Sequence, residues 1–420
     1  MSGKLPDTAR LDTVTIGAGY DPATASGAAK PPLYLSSTFV YPSAQFAKDT
    51  HANFFEGAEM PGGETPGYIY ARLSHPNLDM VETRLAALDG GEASAVFSSG
   101  MAAMTTILQA NLKPGDTVIY GRPLYGGVDW FLNSHFSQFG IKSFGYTDGA
   151  DPEHVRAVAA EAMAAGTLGV ILVETPANPT AVISDIALAA TIADEVAARQ
   201  GRRPLVVVDN TFLGPFLQSP LAQGADLCMT ALTKYCGGHS DLLAGGVSGR
   251  AELIAPLKTL RTMLGNHSDP HTCWLLLRSF ETLHLRTERA CSNAIKLASW
   301  LRDHPKIQSV TFFGFLPEGS RERAVYERQC RGAGSTFSFK IKGGEAEAFR
   351  MLDRFRIVKL AVSLGGAESL ICHPASTTHY QIDKARREAV GIDDATMRLS
   401  VGLEHPDDLI ADLAQALEAV

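Results

Sequence analysis

Leu205-Val206-Val207-Val208-Asp209-Asn210 is a run of four apolar residues, three of them β-branched, closed by a carboxylate and an amide. It reads as a buried strand with a polar end. On either side, short apolar runs alternate with helix-like stretches. The strand candidates are Ala95–Phe97, Thr117–Tyr120, Ile141–Phe144, Gly169–Val173, Leu205–Val208, Asp226–Ala231 and Ala244–Ser248. Between them, Met101–Ala110, Tyr125–Phe139, Pro152–Ala165 and Ile186–Gln200 carry helical patterns. This alternation predicts an α/β fold, a mainly parallel sheet covered on both faces, with ligands at the carboxyl ends of its strands. Asp209 stands at one such end.

Upstream, Leu78, Val81, Leu85 and Leu88 recur at helical spacing until Gly90-Gly91 stops the helix. After Gly265 the character changes. His271–Arg289 reads as one long helix, and Ser335–Ile341 and Arg398–Val401 read as strands of a smaller α+β domain. Residues 1–75 are rich in Gly, Pro, Ser and Thr, show little periodicity and include a loop at Gly57–Gly67. So long an arm is expected to lie on a partner subunit. The expected division is therefore 1–75 (arm), 76–265 (main domain) and 266–420 (C-terminal domain).

The 420 residues are 45% hydrophobic and 20% charged, as in an ordinary globular protein. A formal net charge of -8 with no basic stripe argues against nucleic acid. Six cysteines lie scattered without a CxxC pair, which suits reduced thiols in the cytoplasm. Met1–Asp7 lacks the apolar core of a signal peptide, and no run is long enough to cross a bilayer. His267 and His271 are four apart, but no acidic partner follows in a known arrangement, so no metal is expected.

Twenty-five residues after Asp209, Lys234 follows another apolar segment and precedes the turn Tyr235-Cys236-Gly237-Gly238. A lysine amine and an upstream carboxylate at strand ends are what a pyridoxal phosphate enzyme needs. The amine forms a Schiff base, and the carboxylate keeps the pyridine nitrogen protonated. Either residue alone reads more simply as a surface lysine or a helix-capping aspartate; it is the pair that points to this chemistry. Other candidate parts sit at the same kind of position. Ser99-Gly100-Met101 opens a helix after a strand, where free backbone N–H groups suit a phosphate or simply make a tight turn. Tyr125 begins another helix and reads as a ring-stacking acid–base or as core. Asn178 lies at the mouth of the strongest apolar strand, either bonding a ring hydroxyl or shaping an Asn-Pro turn. Arg398, flanked by apolar strand residues, wants an anion, either a substrate carboxylate or a structural partner.

Taken in order, several segments resemble the Cys/Met-metabolism family of pyridoxal phosphate enzymes. They are Tyr68–Asn77, Ser99–Ala102, Glu174–Pro179, Asp209–Thr211, Thr233–Asp241 and Arg398–Glu404. That family includes cystathionine γ-synthase, cystathionine γ-lyase, methionine γ-lyase and the O-acylhomoserine sulfhydrylases. The resemblance, from about Tyr34 to the C-terminus, implies a type I aminotransferase-like fold and a homotetramer of two active dimers. It implies Lys234, Tyr125 and Asp209 as catalytic residues. It further implies Ser99, Gly100, Met101, Thr233 and Asn178 around the cofactor, and Tyr70 and Arg72 reaching the phosphate of the neighbouring subunit. Ser363 and Arg398, with Asn178 nearby, would hold the substrate carboxylate.

Ala231 stands where the family usually has serine, and Gly127 where many methionine γ-lyases have cysteine. Glu368 resembles the lyases and cystathionine γ-synthase. His373–His379 resembles sulfhydrylases and methionine γ-lyases alike. The expected activity is γ-elimination from a sulfur amino acid. The alternative is γ-replacement, as in cystathionine γ-synthase or the sulfhydrylases, and a remote one is a non-catalytic cofactor-binding protein.

Overall fold

The computed structural model describes residues 5, 6 and 8–420. Met1–Lys4 and Asp7, within the opening segment read above, lie outside them. All seven strand candidates of the first half form one sheet: β1 (Ala93–Phe97), β2 (Asp116–Gly121), β3 (Lys142–Tyr146), β4 (Thr167–Glu174), β5 (Leu205–Asp209), β6 (Leu227–Thr230) and β7 (Gly245–Gly249). Their spatial order is β1-β7-β6-β5-β4-β2-β3. Only β7 runs against its neighbours. The ends of β1, β2, β4, β5 and β6 therefore share one edge, which is where the candidate site residues follow.

Both faces of this sheet are covered. Val207 packs with Val118, Val170 and the helix Gly100–Asn111. Its neighbours Val206 and Val208 point the other way, into the helices Pro152–Ala165 and Ile186–Gln200. That alternation is the period of an extended strand buried on both sides. The helix Pro76–Asp89 buries Leu78, Val81, Leu85 and Leu88 as its spacing predicts. It ends at Gly90, whose φ of 72° belongs to the left-handed region that glycine enters freely.

A second sheet is built from β8 (Ile307–Thr311), β9 (Thr336–Ile341), β10 (Lys359–Leu360), β11 (Leu370–Cys372) and β12 (Thr396–Ser400), in the order β10-β11-β12-β9-β8. It has its own core, in which Phe337, Phe339, Met397 and Leu399 meet helices Leu283–Arg302 and Pro406–Leu417.

Three readings need correction. The arm is not structureless: it holds a helix at Ala44–Glu56, capped by the Ser43 hydroxyl. The helix expected over 271–289 is two, Pro270–Phe280 and Leu283–Arg302. Thr282 leaves helical geometry at φ -113°, ψ 9°, and the Arg286 guanidinium bridges the break, donating to the Ser279 carbonyl at 2.8 Å and to Tyr235 O at 2.7 Å. The stretch 125–139 is α-helical only at Gly126–Trp130 and continues as a π turn and a 3₁₀ turn.

Candidate active site

The shared strand edge opens into a cavity of about 550 Å³, within the range of a small-molecule site. Ser99, Gly100, Met101, Tyr125, Asn178, Asp209, Thr233, Lys234, Ser363 and Arg398 all line it. Tyr70 and Arg72 do not. Tyr70 is exposed, and Arg72 donates to Thr262 O at 2.6 Å on the surface of its own chain.

Each side chain has a local reason for its place. Ser99 caps the helix Gly100–Asn111, its hydroxyl accepting Ala102 N–H at 3.0 Å. The first N–H groups of that helix have no intrahelical acceptor. Gly100 is required there, since a Cβ would stand 2.8 Å from Ala231 Cβ. The Thr233 hydroxyl donates to Ala244 O at 3.1 Å and accepts Ala244 N–H at 3.0 Å, pinning the turn that carries Lys234. Gly127 leaves room for the Tyr125 ring: a Cβ would lie 2.9 Å from Tyr125 Cε1 and 3.2 Å from Met101 Sδ.

Two carboxyl groups form the floor. Asp209 accepts from Thr211 N–H at 3.0 Å and from its hydroxyl at 2.5 Å. The Thr211 Oγ in turn accepts Ala231 N–H at 2.8 Å, linking the floor to the lysine turn. Burial pushes the Asp209 carboxyl up. Glu174 accepts the backbone N–H of Tyr125 at 2.8 Å and of Asn178 at 2.7 Å. Burial, and then the charge of Asp209, push Glu174 up to about 8.

Ser363 joins the two cationic groups. Its hydroxyl accepts from Lys234 Nζ at 2.7 Å, and its carbonyl accepts from Arg398 Nη2 at 2.6 Å. Its φ of 99° is strained for a side-chain-bearing residue. Arg398 also donates to Asn178 Oδ1 at 3.0 Å, and its buried Nε has no partner among the described residues. Burial first, then the charge of Arg398, lower Lys234 to about 8. A neighbouring cavity, which shares Thr233, Lys234, Val362 and Ser363 with this one, is lined further out by Ser240 and Glu368, joined by a hydrogen bond of 2.5 Å.

Glu174 and Thr211 lie within the segments Glu174–Pro179 and Asp209–Thr211, and the sequence alone assigns neither a role. A carboxylate between a β-strand and an Asn-Pro turn is a signal for a backbone acceptor; nothing local signals Thr211.

The residues fit pyridoxal phosphate by their own geometry. A recessed carboxylate with no cationic partner among the described residues, a glycine whose Cβ would fill a helix-start cradle, and a buried amine with a lowered pKa converge on one cavity.

The fold and this edge of the sheet define the class. The family described as Cys/Met metabolism PLP-dependent enzyme matches residues 12–418, and the chain belongs to that family. Among particular relatives, it is 40% identical over 420 residues to the L-methionine γ-lyase of Pseudomonas putida, covering 100% of this chain and 99% of that protein. It is 34% identical to the O-succinylhomoserine sulfhydrylase of Pseudomonas aeruginosa, covering 99% of each. The solved structure of cystathionine γ-synthase from Xanthomonas oryzae pv. oryzae, in complex with aminoacrylate and cysteine, superposes with a TM-score of 0.87 at 35% identity, covering 99% of each chain. The fold is accordingly the type I fold of pyridoxal-phosphate-dependent transsulfuration enzymes, and the chain is a pyridoxal-phosphate-dependent enzyme of sulfur amino-acid metabolism.

Proposed function

We propose that this enzyme is a carbon–sulfur lyase that eliminates a thiol from the γ carbon of a sulfur amino acid, of the methionine γ-lyase type. The observation that carries the reading is Ser363, which receives Lys234 through its hydroxyl and Arg398 through its carbonyl. An α-amino acid whose carboxylate pairs with Arg398 then presents its Cα to Lys234.

Pyridoxal phosphate, when bound, supplies a sink for the electrons of the Cα–H bond. Lys234 would hold it covalently, Asp209 would face its ring nitrogen, and Tyr125 would cover its face, with Asn178 beside it. Ser99, Gly100, Met101 and Thr233 would surround its phosphate. The residues then divide the proton work. Once the substrate's amine replaces it on the cofactor, Lys234 is a free amine again, lowered to about 8 by burial, and takes the Cα proton near neutral pH. The Arg398 fork, positioned by Asn178, fixes the carboxylate and hence the face of Cα shown to the lysine. Tyr125 gives a proton to the departing sulfur. With water consumed, the products are a thiol, a 2-oxo acid and ammonia.

A second reading, γ-replacement by an incoming thiol, is favoured by the sulfhydrylase and cystathionine γ-synthase relatives. Methionine, cystathionine, cysteine and O-acylhomoserines offered separately distinguish the two. Release of 2-oxobutanoate without added thiol is expected. Product only with cysteine or sulfide would establish replacement, and no product from any of them by a yellow, cofactor-loaded protein would overturn both.

We further propose the division 1–75, 76–265 and 266–420, a cytoplasmic location and a homotetramer of two active dimers. Six free cysteines suit a reducing compartment. Exposed Leu35, Val40, Phe55 and Tyr70 give the arm an apolar surface for a partner to cover, with Tyr70 and Arg72 completing the partner's site.

A further inference from the structure

A smaller cavity of about 110 Å³ lies behind the wall of the active site. The chain passes between the two cavities in single steps: Leu124 lines the small one and Tyr125 the large, His379 the small and Thr378 the large. Three arginines, Arg122, Arg386 and Arg387, and one carboxylate, Asp129, bound the small cavity. Asp129 is 3.6 Å from Arg386 and accepts from Asn133 Nδ2 at 3.1 Å, so it is already engaged.

Arg122 and Arg387 pair with no carboxylate among the described residues, and the Nε of each is buried without a partner. Arg122 keeps only a 3.5 Å contact from Nη2 to the Tyr120 hydroxyl and a position over the Tyr120 ring, 5.5 Å from its centre. Arg387 donates one bond, to Ile382 O at 3.1 Å. The space is shaped for the guanidinium: a Cβ on Gly145 would fall 2.0 Å from Arg122 Nε. Burial first, then the charges of Arg398 and Arg387, push His379 down to about 4, so the ring is neutral at pH 7 and the arginines set the charge of the cavity.

Buried charged donors left unmade are costly, and paired guanidinium groups present the N–H geometry that oxyanions accept. A volume of about 110 Å³ exceeds one water's share of the liquid, about 30 Å³, and is too small for a cofactor-sized ligand, for which pockets start near ~300 Å³. We propose that this cavity is a binding site for a small tetrahedral oxyanion of the sulfate or phosphate class, held between Arg122 and Arg387. Bound there, the anion fastens the helix Lys384–Ala389, which carries Arg387, to the segment leading into Tyr125.

The test uses the cofactor-loaded enzyme at constant ionic strength set with chloride, with sulfate titrated by calorimetry. One saturable site per chain is expected, weakened roughly tenfold or more by Arg122→Gln or Arg387→Gln, the loss of one charge-assisted hydrogen bond. Sulfate-free turnover in those variants is expected to stay near that of the parent enzyme. A selenate soak of the unaltered enzyme needs no variant to fold, and its anomalous peak is expected between the two arginines. Phosphate competing like sulfate supports the class, whereas acetate competing equally would reassign the cavity to carboxylates. No saturable binding, binding unchanged in both variants, or selenium only beside Arg398 would overturn the proposal.

Discussion

Glu174 and Asp209 stand side by side at the ends of β4 and β5, paired in register across two parallel strands. Two like charges withdrawn from water at that spacing do not both ionise cheaply, so the pair retains a proton near neutrality. The hydrogen bonds divide the work. Among the described residues Asp209 is served by Thr211 alone, while Glu174 anchors the backbone of Tyr125 and Asn178. Glu174 thus shapes the wall, and Asp209 is left for the cofactor nitrogen.

The retained proton makes cofactor-free stability depend on pH. Glu174 rises from 4.5 to about 8 on folding, so the folded chain binds more protons than the unfolded one between those values. Stability from this group is therefore lost as pH rises across that window, with a limiting slope of about 1.4 kcal/mol per pH unit. Above pH 6.5, where the lowered His379 no longer opposes it, the Tm of the cofactor-free enzyme should fall towards pH 8, and Glu174→Gln should flatten that fall. A variant whose Tm declines as steeply as the parent's would assign the proton elsewhere.

Lys234 carries its own pH signature. Only the neutral amine attacks the cofactor aldehyde, and burial beside Arg398 lowers this amine from 10.5 to about 8. The rate of attachment, followed by growth of the visible band, should climb through pH 7 and level off above pH 8. A rate still rising steeply beyond pH 9 would mean an ordinary lysine.

Arg398→Lys retains the charge but loses the planar fork that spans Asn178 and Ser363. One charge-assisted hydrogen bond fewer should lower kcat/KM by about 10–100-fold, chiefly through KM. Asn178→Ala should act in the same direction by releasing Arg398. Unchanged KM in both variants would remove Arg398 from carboxylate binding.

The parts of this molecule that were legible in the sequence follow from local rules. Val206–Val208 announce a strand buried on both faces, and a strand's end tells where Asp209 and Lys234 belong. Gly100 is readable because a helix start after a strand needs a small residue. Other features depend on contacts between distant segments. Glu174 acts on Tyr125 only because β2 lies beside β4, an adjacency that strand patterns do not reveal. The break at Thr282 is sealed by Arg286 reaching Tyr235, far away in the chain. The helix Ala44–Glu56 leaves Phe54 and Phe55 exposed, so its apolar residues trace no core-facing stripe.

Tyr70 and Arg72 yield the last prediction, because their own chain leaves them outside the cavity. If they serve the neighbouring subunit, Arg72→Ala should weaken cofactor retention by roughly 10–100-fold through the lost charged hydrogen bond. Mixing then separates shared from private sites. A dimer of one Arg72→Ala chain and one Lys234→Ala chain contains one site with both an intact lysine and an intact partner arginine. Random reassortment makes half of the dimers mixed, so recovery of about one quarter of parental activity is expected at a cofactor concentration that saturates the parent but leaves the Arg72→Ala homodimer largely empty. Tagged chains purified in sequence verify that mixed dimers have formed. If those verified dimers show no more activity than either parent variant, each chain builds its site alone, and the exposed arm must find another role.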